Sequence, residues 1–300
     1  MGTVITQLLG GLGNQMFQYA VGRRLALEKK RRLLVDTSIL EDHSPGCHEV
    51  NRKYALEIFK LQAKRAEKYE RWLYNAHGLP LIVRVLRRSL GPVTKKWIYR
   101  NLSFEYDKKL FDATPVPQYI QGLWQSYKYL VPIAEQLQKD FEFKDTIPKK
   151  TERVKEAILG SNSVCLNVRR GDYLMGSSAK NMAQIEIEYY KAARKKFKAT
   201  SSSELKVFVF SDDIKWCKRQ FGWLGTNAVI VGHEHAGQHF GIYLQLMSLC
   251  KKFILPNSTF AWWAAWLAKA PDKQVIAPKR WFTDTNINTQ DLCPPNWQRI

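Results

Sequence analysis

Acidic residues are scarce in this chain, and long apolar runs and paired cysteines are missing. Its 300 residues carry 27 Asp and Glu against 47 Lys and Arg, a net charge of +20. The five cysteines form no Cys-x-x-Cys pair, which argues against a zinc site or a secreted disulfide framework. No apolar run approaches the roughly 20 residues that a membrane span needs. The chain also begins directly in a strand pattern, without a secretory leader. We therefore expect a cytoplasmic protein with reduced thiols.

The positive charge predicts anionic partners, and charge alone leaves three classes open. Nucleotide phosphates, nucleic acid and an acidic membrane face all qualify. A nucleic-acid-binding protein would need basic and aromatic residues interleaved on one face, whereas the basic residues here are spread over many segments. The stretch 81–88 (LIVRVLRR) either covers the core as a helix or makes a peripheral contact with an anionic membrane.

The first half of the chain predicts the opening of a parallel α/β sheet. Residues 4–9 and 32–36 have strand patterns, and they flank a glycine turn and a helix pattern from 14 to about 31. The segment 40–115 is basic, aromatic and harder to interpret. Further predictions are helix-like stretches at 61–77 and 80–90, a strand at 119–124 and a helix at 128–141.

The second half alternates strands with helices of about 10–14 residues, which is typical of a Rossmann-like sheet. The polar segment 143–148 contains a proline and is the predicted linker. We therefore predict an acceptor-side α/β domain over 1–145 and a nucleotide-sugar-binding domain over 149–300, with the site in the cleft between them.

Two adjacent arginines follow the predicted strand 163–168. Ligands of open parallel sheets bind at the carboxyl ends of strands, and two guanidiniums there can hold a diphosphate bidentately. Arg169 and Arg170 are therefore the candidate phosphate clamp. The alternative is one salt bridge to Asp172 and one exposed arginine; the glycine that follows and the apolar strand before them favour phosphate.

Two further polar clusters follow strands in the same half. Ser211-Asp212-Asp213 is either a helix N-cap or supplies a carboxylate to a ribose hydroxyl or a purine edge. Its spacing differs from that of a metal-binding Asp-x-Asp motif, and the arginine pair can replace a metal in charge, so we predict no metal. Asn257-Ser258-Thr259-Phe260 opens a helix, where Ser or Thr can cap the helix and its free N–H groups can bind an anion.

The glycine loop after the first strand resembles a dinucleotide-binding turn only in part. Gly11 and Gly13 fit that motif, but Met16 occupies the third glycine position. Asn14 and Gln15 add amides that we expect to point into the cleft. We interpret the loop as a close backbone approach to substrate.

Three of the six histidines, His233, His235 and His239, lie within one short segment. A metal site would need a preorganised set of ligands around them. A polar loop before a helix is the simpler interpretation.

These segments together resemble the α-1,2-fucosyltransferases of glycosyltransferase family 11. Residues 10–20 (GGLGNQMFQYA) are similar to the opening signature of that family, 168–173 (VRRGDY) to its HxRRGDY motif, and 257–263 (NSTFAWW) to its third motif. Residues 211–213 and 295–297 fit as well. The matches run in order along essentially the whole chain.

The resemblance implies a GT-B-like α/β fold with two Rossmann-like domains and a metal-independent, inverting enzyme without a cofactor. Its donor would be GDP-β-L-fucose and its acceptor the 2-hydroxyl of a terminal galactose in a bacterial surface glycan. A transferase of different linkage, α-1,6 or protein O-fucosylation, is the alternative. Nucleic acid is not an expected partner. The missing anchor fits a bacterial member, at work in the cytoplasm or at the inner face of the plasma membrane.

The expected reaction and the clusters at the strand ends assign roles to residues. Arg169 and Arg170 would stabilise the leaving diphosphate, and Asp172 would either accept the acceptor proton or only orient an arginine. The predicted donor-binding residues are Gly11, Gly13, Asn14, Gln15, Asn167, Ser211, Asp212, Asn257, Ser258, Thr259 and Phe260. Two positions depart from the family pattern: Asn167 replaces a histidine, and Tyr243 stands where an aspartate is common.

Overall fold

A computed structural model of the chain describes residues 2–41, 52–75, 79–171 and 180–300. The chain divides into two compact units, Met1–Glu142 with Asn288–Leu292, and Phe143–Ile287 with Cys293–Ile300. A short piece of the C-terminal region therefore belongs to the first unit. The sequence pattern does not predict this assignment. The functional roles expected of the two halves stay predictions.

The first unit contains a five-stranded sheet in the order β3-β2-β1-β5-β4, with every strand parallel to its neighbours. Its strands are β1 (Thr3–Gln7), β2 (Arg32–Asp36), β3 (Lys64–Arg65), β4 (Ile98–Asn101) and β5 (Tyr119–Gly122). Its helices are α1 (Leu12–Glu28), α2 (Lys68–Arg71), α3 (Leu81–Thr94), α4 (Lys109–Asp112) and α5 (Ala134–Asp140).

Helix α1 packs closely on the sheet at Gly22. A Cβ atom at Gly22 would lie 2.9 Å from the side chains of Leu33 and Thr6, so a glycine permits this distance between helix and strands. The helix begins at Leu12, shortly after β1 ends at Gln7, and so lies at the edge where ligands of parallel sheets bind.

The second unit contains a six-stranded parallel sheet in the order β11-β10-β9-β6-β7-β8. Its strands are β6 (Asn162–Val168), β7 (Leu205–Ser211), β8 (Ala228–Ile230), β9 (Lys252–Ile254), β10 (Gln274–Ala277) and β11 (Gln298–Arg299). Its helices are α6 (Glu152–Leu159), α7 (Ile187–Thr200), α8 (Ile214–Gln220), α9 (Gly241–Ser248) and α10 (Thr259–Leu267). The central strands β6 and β7 are almost wholly buried, as their apolar sequences require.

The predicted alternation of strands and helices in the second half is confirmed, whereas two predicted helices of the first half were wrong and one strand was missed. The expected helix 128–141 is two short 3-10 turns followed by α5, because Pro132 lies near its start. The expected helix 61–77 contains only β3 and the single turn α2. Strand β4 was not predicted.

No helix among the described residues is long and apolar enough to cross a membrane. The four described cysteines, Cys165, Cys217, Cys250 and Cys293, are buried and form no disulfide. Burial raises the pKa of Cys217 to about 11 and that of Cys293 to about 12. Both thiols are therefore protonated near neutral pH and are poor nucleophiles.

Candidate active site

The arginine pair lies in a tight turn that one carboxylate holds in place. Strands β6 and β7 are neighbours, with Val168 opposite Ser211, so the residues after each strand meet at one edge. Asp212 accepts hydrogen bonds from the backbone N–H groups of Arg170 and Gly171, both at 2.9 Å. The Nη1 atom of Arg169 lies 3.0 Å from the same carboxylate. Asp212 thus fixes the backbone of the turn and one of its guanidiniums.

Gly171 leaves room for the Asp212 carboxylate in this turn. A Cβ atom there would lie 2.9 Å from Oδ2 of Asp212, the atom that accepts the glycine's own N–H. A larger residue would push the carboxylate away and break the bonds that shape the turn.

The second guanidinium is held by a different set of groups. The Cζ atom of Arg170 lies 4.2 Å from the ring centroid of Trp216, in the geometry of a cation–π contact. Its Nε atom lies 3.5 Å from Oδ2 of Asp213. Asp213 also caps α8, because its Oδ1 accepts the backbone N–H of Trp216 at 2.9 Å. Helix α8 therefore supplies both the stacking surface and the carboxylate beside Arg170.

A pocket of about 310 Å³ opens beside the pair. The side chains of Arg169 and Arg170 are 27% and 28% exposed, so each guanidinium is held in place yet reachable by a ligand. The remaining lining residues are Met182, Ala183, Gln184, Ile185, Glu186, Ile187, Glu188, Trp216 and Gln220. The pocket thus combines two fixed positive charges with apolar, aromatic and carboxylate groups, which suits a ligand with a phosphate end and a hydroxylated end.

The segment before α10 supports the wall of this pocket from within. Asn257 is 1% exposed, and its Nδ2 donates to the carbonyl oxygens of Ala183 and Trp281, both at 2.8 Å. Ser258 is buried at the N-cap of α10 without a side-chain cap bond. Thr259 and Phe260 are half-buried in the first turn. The structure thus gives Asn257 a supporting role, and donor contacts of this segment stay a prediction.

Two more predicted donor-binding residues are buried near the carboxyl ends of β6 and β7. Asn167 is 5% exposed, and its Nδ2 donates to the carbonyl oxygen of Phe210 at 3.1 Å. Ser211 accepts the backbone N–H of Asp213 at its Oγ and an N–H from Nε2 of His233 at its carbonyl oxygen, each at 2.9 Å. Because a carbonyl only accepts, Nε2 carries the hydrogen. His233, which the sequence analysis assigned only to a polar loop, therefore lies beside the site.

The histidine segment forms short 3-10 turns before α9 rather than a shared ligand set. His235 meets Thr151 through its Nδ1 at 2.9 Å, whereas His233 faces Ser211. Across the described ranges, no group of three or more His, Cys, Asp or Glu side chains could hold a metal ion. Tyr243, at the position of the family's aspartate, donates its hydroxyl to the carbonyl oxygen of Val231 at 2.6 Å. Burial raises the pKa of Tyr243, so the group remains a neutral donor.

In the first unit, Gln15 differs from the expectation that its amide faces a ligand. The side chain is fully buried, and its Nε2 donates to the carbonyl oxygens of Gly10 and Lys53, both at 2.9 Å. Its Oε1 accepts the N–H of Ala55 at 2.9 Å. Gln15 therefore ties the glycine loop to a neighbouring segment. Gly10 in that loop has a φ of 75°, which a side chain would strain.

The rest of the loop is more open. Gly11 has no atom within 4 Å of the position that a Cβ would take, so the backbone can be approached there. Asn14 is partly exposed and accepts a hydrogen bond from Nε2 of Gln125 at 3.1 Å. Gly13 is buried inside the first turn of α1. Ligand contacts at Gly11, Gly13 and Asn14 stay predictions, and Asp172 lies outside the described residues.

A family model now adds an independent finding. The model of the family described as Glycosyl transferase family 11 matches residues 93–300, more than half of the chain. The chain belongs to glycosyl transferase family 11. It is 29% identical to "Alpha-1,2-colitosyltransferase" of Escherichia coli, covering 100% of this chain and 99% of that relative. It is 30% identical to "O-antigen biosynthesis glycosyltransferase WbnK" of E. coli, covering 93% of this chain and 95% of that relative.

Solved structures show the fold of this family 11 protein. NodZ α-1,6-fucosyltransferase soaked with GDP-fucose aligns with a TM-score of 0.52 at 15% identity, covering 89% of this chain and 92% of NodZ. Fucosyltransferase NodZ from Bradyrhizobium, as a selenomethionine crystal, aligns with a TM-score of 0.51 at 15% identity, covering 88% and 91%. The protein has the GT-B fold, as expected from the two parallel sheets.

Proposed function

We propose that this family 11 glycosyltransferase is an inverting galactoside α-1,2-fucosyltransferase. It would move L-fucose from GDP-β-L-fucose to the 2-hydroxyl of a terminal galactose in a bacterial surface glycan. The observation that carries the proposal is the arginine turn held by Asp212 beside the 310 Å³ pocket. NodZ α-1,6-fucosyltransferase was soaked with GDP-fucose and co-crystallised with GDP, which supports this donor. The names of the two relatives support the α-1,2 linkage and the surface glycan.

The arrangement suits transfer with departure of a diphosphate. The galactose 2-oxygen attacks C1 of fucose on the face opposite GDP, the bond from C1 to the phosphate oxygen breaks, and the transition state has oxocarbenium character. Negative charge grows on the departing diphosphate, where Arg169 and Arg170 can each donate two N–H groups. The acceptor proton must leave the hydroxyl, and Asp172 is our candidate for the base.

A panel of donors and acceptors tests the proposal. The protein is incubated with GDP-fucose and several β-galactosides, and products are identified by mass spectrometry and glycosidic linkage analysis. We expect one added fucose in α-1,2 linkage. An α-1,6 product, a fucosylated protein or no transfer with any galactoside would refute it.

A colitosyl donor is the second candidate, because the relative named as a colitosyltransferase matches the whole chain. Colitose is fucose without one ring hydroxyl, so the two donors compete for the same pocket. The ratio of kcat/KM for the GDP-linked forms of the two sugars separates these functions. A site that hydrogen-bonds the extra hydroxyl would favour fucose, whereas a site without such a group discriminates weakly.

We expect transfer to be independent of divalent metal ions. The two guanidiniums supply the positive charge that a metal would otherwise bring to the diphosphate. Treating the enzyme with EDTA should change turnover by less than about twofold, the result expected when no metal takes part in charge stabilisation. A loss of turnover that Mg²⁺ or Mn²⁺ restores would contradict the role given to the arginines.

Asp212→Asn should impair transfer without unfolding the protein. The amide nitrogen of Asn cannot accept an N–H, so one backbone donor of the turn loses its partner, and Arg169 loses its ion pair. We expect kcat/KM to fall by about 10- to 100-fold, because the arginines then lie off their productive positions. The matched control is Asp272→Asn at an exposed position. Wild-type kinetics in the Asp212 variant would show that the turn does not need this carboxylate.

A further inference from the structure

Helix α3 presents an unusually apolar surface to solvent. Eleven large hydrophobic side chains are exposed among the described residues, and five of them lie on this one helix. They are Leu81, Ile82, Val85, Leu86 and Leu90. Leu81 and Ile82 are 75% and 71% exposed, so they contribute little to the core of the unit.

The opposite face of α3 attaches the helix to its own unit. Arg87 donates from Nη2 to the carbonyl oxygen of Tyr74 at 2.9 Å and from Nε to that of Leu73 at 3.3 Å. Val83, on the same side of the helix, is half-buried. The outward side therefore carries two pairs of apolar residues at i, i+4 spacing, 81 with 85 and 82 with 86, which form a stripe two turns long.

Basic residues border this stripe. Arg84 and Arg88 are exposed one turn apart, and Lys95 and Lys96 are exposed just after the helix. The sequence has no Asp or Glu between Glu70 and Glu105, whereas seven Lys and Arg lie in that interval. An anionic partner would thus meet no repelling carboxylate from this segment.

We propose that α3 docks on the surface of an anionic lipid bilayer. Its apolar stripe enters the boundary between headgroups and acyl chains, and Arg84 and Arg88 pair with lipid phosphates. A second copy of the chain is a poor occupant, because two basic faces on proteins of net charge +20 repel each other. The inference concerns a surface and is independent of the proposed reaction.

Vesicle binding of the full chain tests the proposal. The protein is sedimented with vesicles of phosphatidylcholine alone and of phosphatidylcholine with phosphatidylglycerol at about 3:1, a composition that gives the surface a negative potential. We expect at least about tenfold stronger partitioning to the anionic vesicles, since each basic residue near the surface contributes. Raising the NaCl concentration from about 0.1 to about 0.5 M should weaken partitioning to the anionic vesicles, because salt screens the charges.

Two variants separate the apolar and electrostatic contributions. Leu81→Ser with Val85→Ser and Leu86→Ser should lower partitioning at least about tenfold, and its control is Val131→Ser with Leu159→Ser, two other exposed apolar positions. Arg84→Gln with Arg88→Gln should lower it about 10- to 30-fold. The control for that pair is Lys195→Gln with Lys196→Gln on α7, which removes the same charge elsewhere.

The proposal is overturned by any of three results. The first is equal sedimentation of the wild-type protein with neutral and anionic vesicles, and the second is wild-type binding by both α3 variants. The third is a wild-type dimer in sedimentation velocity that is absent in the serine variant, which would mean that a second copy covers the stripe. Unchanged circular dichroism verifies the fold of each variant, and the arginine pair decides the question if the serine variant unfolds.

Discussion

Arg169→Ala should reduce kcat/KM for fucosyl transfer by about a thousandfold, the effect of removing a strong donor to charge that develops in a transition state. The guanidinium is 27% exposed at the pocket and is held by Asp212, so it is preorganised to meet the departing diphosphate. The reaction is followed by release of GDP and by mass spectrometry of the product. The kcat/KM of Arg169→Lys should lie between those of the wild type and Arg169→Ala, because lysine retains the charge but not the paired N–H donors.

A control variant and a stability measurement show whether the loss of kcat/KM in Arg169→Ala comes from the missing guanidinium. Arg153→Ala removes an exposed arginine of the same unit and should leave kcat/KM unchanged. The thermal midpoint of Arg169→Ala should stay near that of the wild type, since the backbone bonds from Asp212 to the turn do not involve the missing side chain. Near-normal turnover in Arg169→Ala would remove the basis for the diphosphate clamp.

Asp36→Ala should strongly destabilise the first unit. The Asp36 carboxylate is fully buried at the end of β2 and accepts from the Tyr119 hydroxyl at 2.5 Å, from Asn75 at 2.7 Å and from the Ser38 N–H at 2.9 Å. Nε of Arg71, a residue that is 5% exposed, lies 3.5 Å from its Oδ1. Removing the carboxylate leaves a buried positive charge without this partner, at a cost of about 3–5 kcal/mol.

Hydrogen exchange measures this effect within one unit. Amides of β1, β2 and β5 should exchange at a free energy of opening lower by about 3–5 kcal/mol in Asp36→Ala. Asp112→Ala, at an exposed position on α4, should change this free energy of opening by less than about 0.5 kcal/mol. Equal protection in the two variants would show that the carboxylate contributes no net stability.

The arginine turn could be predicted from the sequence because its signals are local. An apolar run that ends in two arginines and a glycine marks the carboxyl end of a buried strand, and ligands of parallel sheets bind there. The partner that holds the turn could not be predicted, since Asp212 lies about 40 residues further along the chain. Only the pairing of β6 with β7 brings it to Gly171. The contact of Trp216 with Arg170 depends on the same tertiary arrangement.

In the glycine loop, by contrast, the local sequence pattern led to a wrong prediction for Gln15. Gln15 follows three glycines and an asparagine in the loop, so its amide was expected to face a ligand. Its partners include the carbonyl oxygen of Lys53 and the N–H of Ala55, which come from a distant segment. Strands β3 and β11 have two residues each, which is too short for a periodic pattern to appear. Local propensity therefore predicted the long elements, and tertiary contacts decided the rest.

The return of Asn288–Leu292 to the first unit limits how this protein can be divided or recombined. Asp291 is 5% exposed, pairs with Lys128 at 2.5 Å and accepts the backbone N–H of Tyr106 at 2.9 Å. A fragment that ends at Glu142 would lack these contacts and leave that backbone donor without its carboxylate. Chimeras that exchange the first unit between relatives should therefore carry the matching C-terminal residues with it, because this unit is built from two separate pieces of the chain.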